Sequence, residues 1–214
     1  MSARIDPIVY PETDGRPMPD PSYQSVTWRY ALNALEAHCH GRGLYVAGDM
    51  FVYLEEGNPA NCIAPDVFAV RGASDHKRDT YKVWEEPGGM PDFVLEIVSP
   101  STWRADFGEK RDRYASLGVG EYWLHDPHGR YMQTGLAGFH LVEGSYLPLP
   151  SRESLRGLSI TSDLLGLDLV LDGDDLRFFD PVGERLLPTY AESVARIAEL
   201  ERLLASEADG KKPA

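Results

Sequence analysis

Two acids and a lysine are spaced so that they could do chemistry together. Asp66 heads the short apolar stretch Pro65-Asp66-Val67-Phe68-Ala69-Val70, and Glu96 interrupts another, Phe93-Val94-Leu95-Glu96-Ile97-Val98. Such runs make buried strands, and an ionised carboxylate inside one is costly unless it is paired or bound to a cation. Lys110 follows on the next predicted helix. Two carboxylates at the ends of adjacent strands can hold magnesium, a hard cation that prefers oxygen ligands and keeps several waters. A metal held there activates a water and stabilises the charge growing on a phosphate, while a lysine orients or deprotonates the nucleophile. A plainer account of the same residues has Asp66 capping a turn and Glu96 meeting a buried arginine.

The elements that must position these residues are legible around them. The strand carrying Glu96 stops at Ser99-Pro100-Ser101, where proline and hydroxyl side chains end a strand and can cap a helix. A helix is expected from about Arg104 to Leu117, ended by Gly118 and Gly120, and then a strand over Glu121-Tyr122-Trp123-Leu124-His125, closed by Asp126-Pro127. On that helix Phe107, Arg111, Tyr114 and Gly118 share one face. Lys110 lies about 60° from Phe107 on the wheel, so its ammonium can reach back over the sheet toward Glu96. Asp106 and Lys110, at i and i+4, read as a surface pair contributing a few tenths of a kcal/mol.

Upstream, residues 1–20 read as an extended arm. Asp20-Pro21 starts a helix to about His40, with Trp28, Leu32, Leu35 and Cys39 as its apolar stripe. Glu36 flanks that stripe; the commoner fate is a partly exposed flank, the sharper one a carboxylate facing the same site as Glu96. Leu44 to Leu54 carries strand signals around Gly48 and Asp49, and Glu55–Pro59 is a turn. Residues 71–90 read as a polar loop or lid. After Pro127, hairpins are expected: Arg130 to Thr134 and Ala137 to Val142 flank Gly135, and Leu167 to Leu171 pairs with Leu176 to Phe179. A last helix, Tyr190 to about Ser206, carries Val194, Ile197 and Leu204 near heptad spacing. Docking on its own domain is the main expectation and dimerisation the lesser one. The chain thus divides into an arm (1–20), a main domain (21–188) and a C-terminal helix and tail (189–214).

Composition narrows the function. The 214 residues suffice for one good core, and 43% hydrophobic with 26% charged residues is ordinary for a globular protein. No apolar segment approaches the roughly 20 residues that span a bilayer. The N-terminal sequence lacks a signal-peptide core, and Cys39 and Cys62 stand in unrelated contexts, so a cytoplasmic address with reduced thiols is expected. A net charge of −13 weighs against non-specific binding to nucleic acid or anionic membranes. Basic residues nevertheless cluster: Arg104, Lys110, Arg111 and Arg113 on the central helix, and Arg71, Lys77, Arg78 and Lys82 before it. Phosphate-loop, GxGxxG, GxSxG and HExxH patterns are absent. His38-Cys39-His40 is a weak zinc signal, because neighbours on a helix point about 100° apart. Asp172, Asp174 and Asp175 lack calcium-loop spacing and read as turn residues.

The strings Pro91-Asp92-Phe93-Val94-Leu95-Glu96-Ile97-Val98-Ser99-Pro100-Ser101-Thr102, then Asp106-x3-Lys110-x3-Tyr114, then Gly118-Val119-Gly120-Glu121-Tyr122-Trp123-Leu124-His125-Asp126-Pro127 carry a resemblance. Together with Pro65-Asp66 and the strand around Asp49, the sequence resembles the Uma-two family of "putative restriction endonucleases", within the PD-(D/E)XK nuclease superfamily, over about residues 20–180. The resemblance implies an α/β fold with a restriction-endonuclease-like αβββαβ core, a mixed central sheet flanked by helices, and added C-terminal β-hairpins and a terminal helix. It also implies hydrolysis of DNA phosphodiester bonds dependent on Mg2+ or Mn2+. Asp66 and Glu96 are then the metal-binding and catalytic acids and Lys110 the catalytic lysine. Glu36 and Asp49 become accessory carboxylates, and Arg104, Arg111 and Arg113 contact nucleic acid. One position departs from the pattern: the superfamily lysine belongs two residues after the second acid, where this chain has Val98, and Lys110 is expected to supply the missing ammonium. Asp75-His76-Lys77 imitates the motif in a polar loop with no apolar strand to position it, and Pro91-Asp92 imitates it at the strand entrance, where Asp92 is expected to act as a cap. A nuclease fold without catalysis, acting as a binding or regulatory partner, and an oligomeric scaffold built on the last helix are the competing readings.

Overall fold

The computed structural model describes residues 22–210; the arm expected over residues 1–20, and the helix start at Asp20-Pro21, lie outside them. The chain runs α1 (Ser22–Cys39), β1 (Leu44–Gly48), β2 (Val52–Tyr53), β3 (Cys62–Ile63), β4 (Val67–Arg71), β5 (Tyr81–Lys82), β6 (Phe93–Ile97), α2 (Trp103–Phe107), α3 (Glu109–Ser116) and β7 (Glu121–His125). It continues with β8 (Leu136–Val142), β9 (Ser145–Pro148), β10 (Ser151–Ser154), β11 (Gly157–Ser162), β12 (Leu167–Asp172), β13 (Asp175–Asp180), β14 (Arg185–Leu186) and α4 (Tyr190–Gly210).

The central sheet has the order β1-β4-β6-β7-β8-β9. Its pairs are antiparallel except β6 with β7, which run parallel and are joined by the α2–α3 crossover. Both faces of this sheet are covered. Alternation sends Phe93, Leu95 and Trp123 toward α1 and the five-stranded sheet β10–β14, where they meet Leu35, Ile160 and Phe178. Phe68, Val94, Tyr122 and Leu124 face the other way, against Tyr114 of α3 and Tyr81 of the small sheet β3-β2-β5. This is the mixed α/β architecture expected, a central sheet with flanking helices and a C-terminal helix.

Several expectations are corrected. The helix predicted as one piece from Arg104 to Leu117 is two, because Gly108 takes a non-helical backbone (φ −123°, ψ −96°) between them. Residues 50–54 leave the central sheet: Asp49 adopts a left-handed φ of 50° just after β1, and β2 turns off to join the three-stranded sheet. Arg130 to Thr134 is not a strand, since the Asp126 carboxylate accepts the backbone N–H groups of Tyr131 (2.6 Å) and Met132 (2.9 Å) and folds the segment into turns. The segment 71–90 is not a free lid. Arg78 and Glu86 form a nearly buried ion pair at 2.7 Å, the Arg78 guanidinium lies over the Tyr45 ring, and the buried Tyr81 donates to the Gly89 carbonyl at 2.8 Å. The hairpin of β12 and β13 forms as expected, closed at Asp172↔Asp175 over Gly173 with φ 67°.

Beyond its first turn the last helix does not dock on the described residues. Its start is fixed by a reciprocal cap: the Thr189 N–H donates to the Glu192 carboxylate at 2.6 Å and the Glu192 N–H to Thr189 Oγ1 at 3.2 Å. Glu192 also pairs with Arg177 at 2.9 Å. Beyond that first turn, Val194, Ile197, Leu200, Leu203 and Leu204 all remain exposed. Both cysteines are free, with Cys39 in the core.

Candidate active site

Asp66 precedes β4, and Glu96 lies near the end of β6. Those strands pair antiparallel with Val67 opposite Leu95 and Phe68 opposite Val94. Carrying the register one step on sets Asp66 opposite Glu96, so both carboxylates leave the same face of the sheet. Three bonds hold Asp66. Its carboxylate accepts the Ile97 N–H at 2.6 Å, and its carbonyl accepts the Trp28 indole N–H at 2.9 Å and the Asp49 N–H at 3.3 Å. Trp28, which reads as a core residue in the sequence, is therefore also the post that braces the first acid.

That brace leaves no room at Gly48. A Cβ there would lie 2.2 Å from the Asp66 carbonyl oxygen and 3.0 Å from the Trp28 ring nitrogen. Gly48→Ala is therefore expected to cost about 1–3 kcal/mol of stability and to displace Asp66. A melting temperature equal to wild type would show that the strand ends yield without cost.

Glu96 is 1% exposed, and both its oxygens are engaged. Tyr114 Oη donates to Oε1 at 2.6 Å and Lys110 Nζ to Oε2 at 2.9 Å. The same ammonium meets Asp106 at 2.8 Å. Asp106 is not surface decoration, as its i, i+4 spacing suggests, but fully buried, with the Lys110 ammonium beside its Oδ1. The contact of Asp106 with Lys110, four residues on, is kept across the backbone break at Gly108, and the burial of Asp106 and of Tyr114 shows that this side of the helix pair faces in.

Electrostatics follow from the count of charges. Three carboxylates, Asp66, Glu96 and Asp106, share one ammonium. Desolvation first, and then repulsion from Glu96, push the Asp66 carboxyl well above the usual carboxylate range. Glu96 is also raised by burial, although Lys110 opposes the shift. Burial alone would lower the Lys110 ammonium, but Glu96 and Asp106 outweigh it and hold the group above its ordinary value. Tyr114 is raised by burial and by the Glu96 anion, so it stays a neutral donor.

Above these groups opens a cavity of about 250 Å3, lined by Gln24, Ser25 and Trp28 of α1, by Asp49, Asp66 and Ile97, by Ser99, Ser101 and Thr102, and by Lys110. The hydroxyl residues of the 99–102 turn are fixed to one another, with Ser99 Oγ 2.8 Å from Thr102 Oγ1 and 3.0 Å from Ser101 Oγ. A second cavity, of about 360 Å3, lies over the 76–86 segment; its Arg78 and Glu86 are paired with each other, as are its Lys82 and Glu85.

The structure thus brings Asp66, Glu96 and Lys110 together and sets Asp49 on the cavity wall. Glu36 stands apart: it is exposed, about 12 Å along α1 from Trp28 at 1.5 Å per residue, and its carboxyl is raised by desolvation and by Asp75. Of the three arginines, Arg104 is exposed with its guanidinium over the Trp103 ring, next to the cavity-lining Thr102. Arg111 lies over Phe139 and donates to the Tyr146 carbonyl at 3.3 Å, and Arg113 donates to Asn61 at 3.2 Å. Val98, at the position of the superfamily lysine, is 2% exposed within the core. Among the described residues, no three or more His, Cys, Asp or Glu side chains are grouped to hold a metal.

The architecture is that of a nuclease-like fold. It is similar to the crystal structure of a "putative nuclease belonging to DUF820" from Anabaena variabilis, with a TM-score of 0.50 and 12% identity over 72% of this chain and 81% of that one. The family model described as "Putative restriction endonuclease", Uma2, matches residues 7–172, and the chain belongs to that family. No curated protein matches it. Among the described residues, no helix is long and apolar enough to cross a membrane.

Proposed function

We propose that this protein is a divalent-metal-dependent endonuclease that hydrolyses DNA phosphodiester bonds. The observation that carries the reading is the charge imbalance under the cavity, where Asp66, Glu96 and Asp106 have only the Lys110 ammonium between them. A buried excess of negative charge calls for a further cation. The donors on offer are carboxylate oxygens, which suit Mg2+ or Mn2+, and two protein carboxylates with the remainder water is an ordinary magnesium environment. Asp66 and Glu96 would hold the ion. Bound there, it supplies Lewis-acid charge to a phosphate oxygen and lowers the pKa of a coordinated water.

The chain's own groups do the rest. The Ile97 N–H and the bonds to the Asp66 carbonyl fix one carboxylate, and Tyr114 fixes the other. Lys110 stays an ammonium, so it orients the nucleophile and the phosphate as a donor rather than taking a proton. Arg104 offers a guanidinium for a neighbouring phosphate. The family's description supports DNA as the substrate.

Calorimetric titration of Mg2+ and Mn2+ into the wild type and Asp66→Ala, with cleavage assays on the same samples, tests the reading. Binding and cleavage present in the first and lost in the second are expected. No binding at millimolar metal would leave a nuclease fold acting as a non-catalytic partner.

The carboxyl shifts add a pH dependence. An acid whose folded pKa is raised stabilises the fold at low pH, and that contribution is lost as pH rises through the raised value. The metal-free protein therefore loses stability from Asp66 and Glu96 as they ionise, while metal binding requires both ionised. The rise in melting temperature caused by Mg2+ is expected to grow from about pH 5 to about pH 8. A rise independent of pH would place the ion elsewhere.

A further inference from the structure

We infer that α4 is a dimerisation helix, whose partner is the same helix of a second copy, parallel and in register. The helix is preformed and anchored: the Thr189–Glu192 cap fixes its first turn, and Arg177 ties that turn to β13. Past Ser193 its side-chain bonds among the described residues stay within the helix. Yet it presents Val194 (47% exposed), Ile197 (56%), Leu200 (42%) and Leu204 (66%) on one side, below Tyr190 at its start. A helix held at one end, with such a stripe uncovered along its length, has its natural partner outside the domain.

The spacing and charges say which partner. Tyr190, Ile197 and Leu204 recur every seven residues, and Leu200 follows Ile197 by three, the two apolar positions of a heptad. Val194 and Leu203 flank that seam. In the same frame Arg196 and Glu201 hold the two flanking charged positions, five residues apart. A parallel, in-register pair places Arg196 of each helix against Glu201 of the other, twice by symmetry. An antiparallel pair instead sets flanking positions of one kind against their own kind, which leaves these charges without opposite partners. The exposed intrahelical pair of Arg196 with Glu199 at 2.6 Å is a surface contact that can exchange for the interhelical one. A membrane surface fits less well, because Glu201 lies beside the stripe, Glu192 and Glu199 lie elsewhere on the same helix, and the chain has a net charge of −13. Parallel pairing places the two domains at the same end of the helix pair, whatever chemistry they perform.

Sedimentation equilibrium of the full chain over micromolar concentrations is the test, with circular dichroism to confirm folding of each variant. The wild type is expected to be a dimer and Ile197→Glu a folded monomer. Arg196→Glu and Glu201→Arg should each weaken association by about fivefold to tenfold, and the two together should restore it. A monomeric wild type, or a dimer that survives Ile197→Glu, overturns the assignment to α4. Failure of the double exchange to restore affinity overturns the parallel register.

Discussion

Lys110→Met is expected to lower the unfolding free energy by about 3 kcal/mol near pH 8 and by distinctly less near pH 5. Removing one partner of a buried ion pair typically costs about 3–5 kcal/mol. The low end applies because the Lys110 side chain is still 30% exposed. What remains is Glu96 and Asp106 with no cation between them. Lys110 is held charged above its ordinary value, so in the wild type its contribution is fully present below the unfolded lysine pKa and constant across this window. The pH dependence of the difference therefore comes from the carboxyls. Glu96 is already raised with Lys110 present, and without it the proton is held more tightly still, so the penalty appears as pH climbs through that raised value. Urea unfolding at both pH values reads the effect. A loss equal at both, or below about 1 kcal/mol, would mean that the ammonium is a surface charge. Millimolar Mg2+ should recover part of the loss at the higher pH, since a cation at Asp66 and Glu96 offsets the same charge.

Glu96→Gln is expected to separate stability from function in the opposite sense. The amide keeps the shape and leaves Lys110 its contact with Asp106. It loses one of the two bonds now made to the carboxylate, a cost of about 1.5–3 kcal/mol. Against this, the repulsion that helps raise Asp66 is gone. The metal-free variant should thus melt close to wild type. Cleavage, in contrast, should fall at least about 100-fold, the scale on which loss of one charge-stabilising group is felt, and the Mg2+-induced rise in melting temperature should shrink with it. Cleavage within a few-fold of wild type would remove Glu96 from the proposed site.

Much of this was legible in the chain. The runs around Val67 and Leu95 are strongly apolar and short, so strands were the economical reading, and the acids were conspicuous because apolar strands rarely carry them. The reach of Lys110 over the sheet follows from helical periodicity, which is local geometry. Asp106 was less legible, since an Asp four residues before a Lys looks the same on a solvated helix as on a buried one. Only the packing of Tyr114 against Tyr122, with ring centroids 5.3 Å apart, decides which side of the helix faces in. Glu36 shows the converse. Its place beside an apolar stripe says that it flanks a core, but not how far along α1 the cavity lies.

Features set by neighbours along the chain are readable from residue order. These are the periodicity of α1, the strand character of β4, β6 and β7, and the heptad spacing of α4. Tertiary structure alone decided the partners of the charged groups. Arg78 reads as a basic loop residue until Glu86 and Tyr45 enclose it. Trp28 reads as core until its indole N–H meets the carbonyl of a residue 38 positions away. Whether α4 docks depended on whether the domain offers it an apolar surface, which no local pattern encodes. The physical reason is common to all of these: backbone preference and periodicity act over a few residues, whereas the cost of burying a charge is settled by whatever the fold brings within hydrogen-bonding distance.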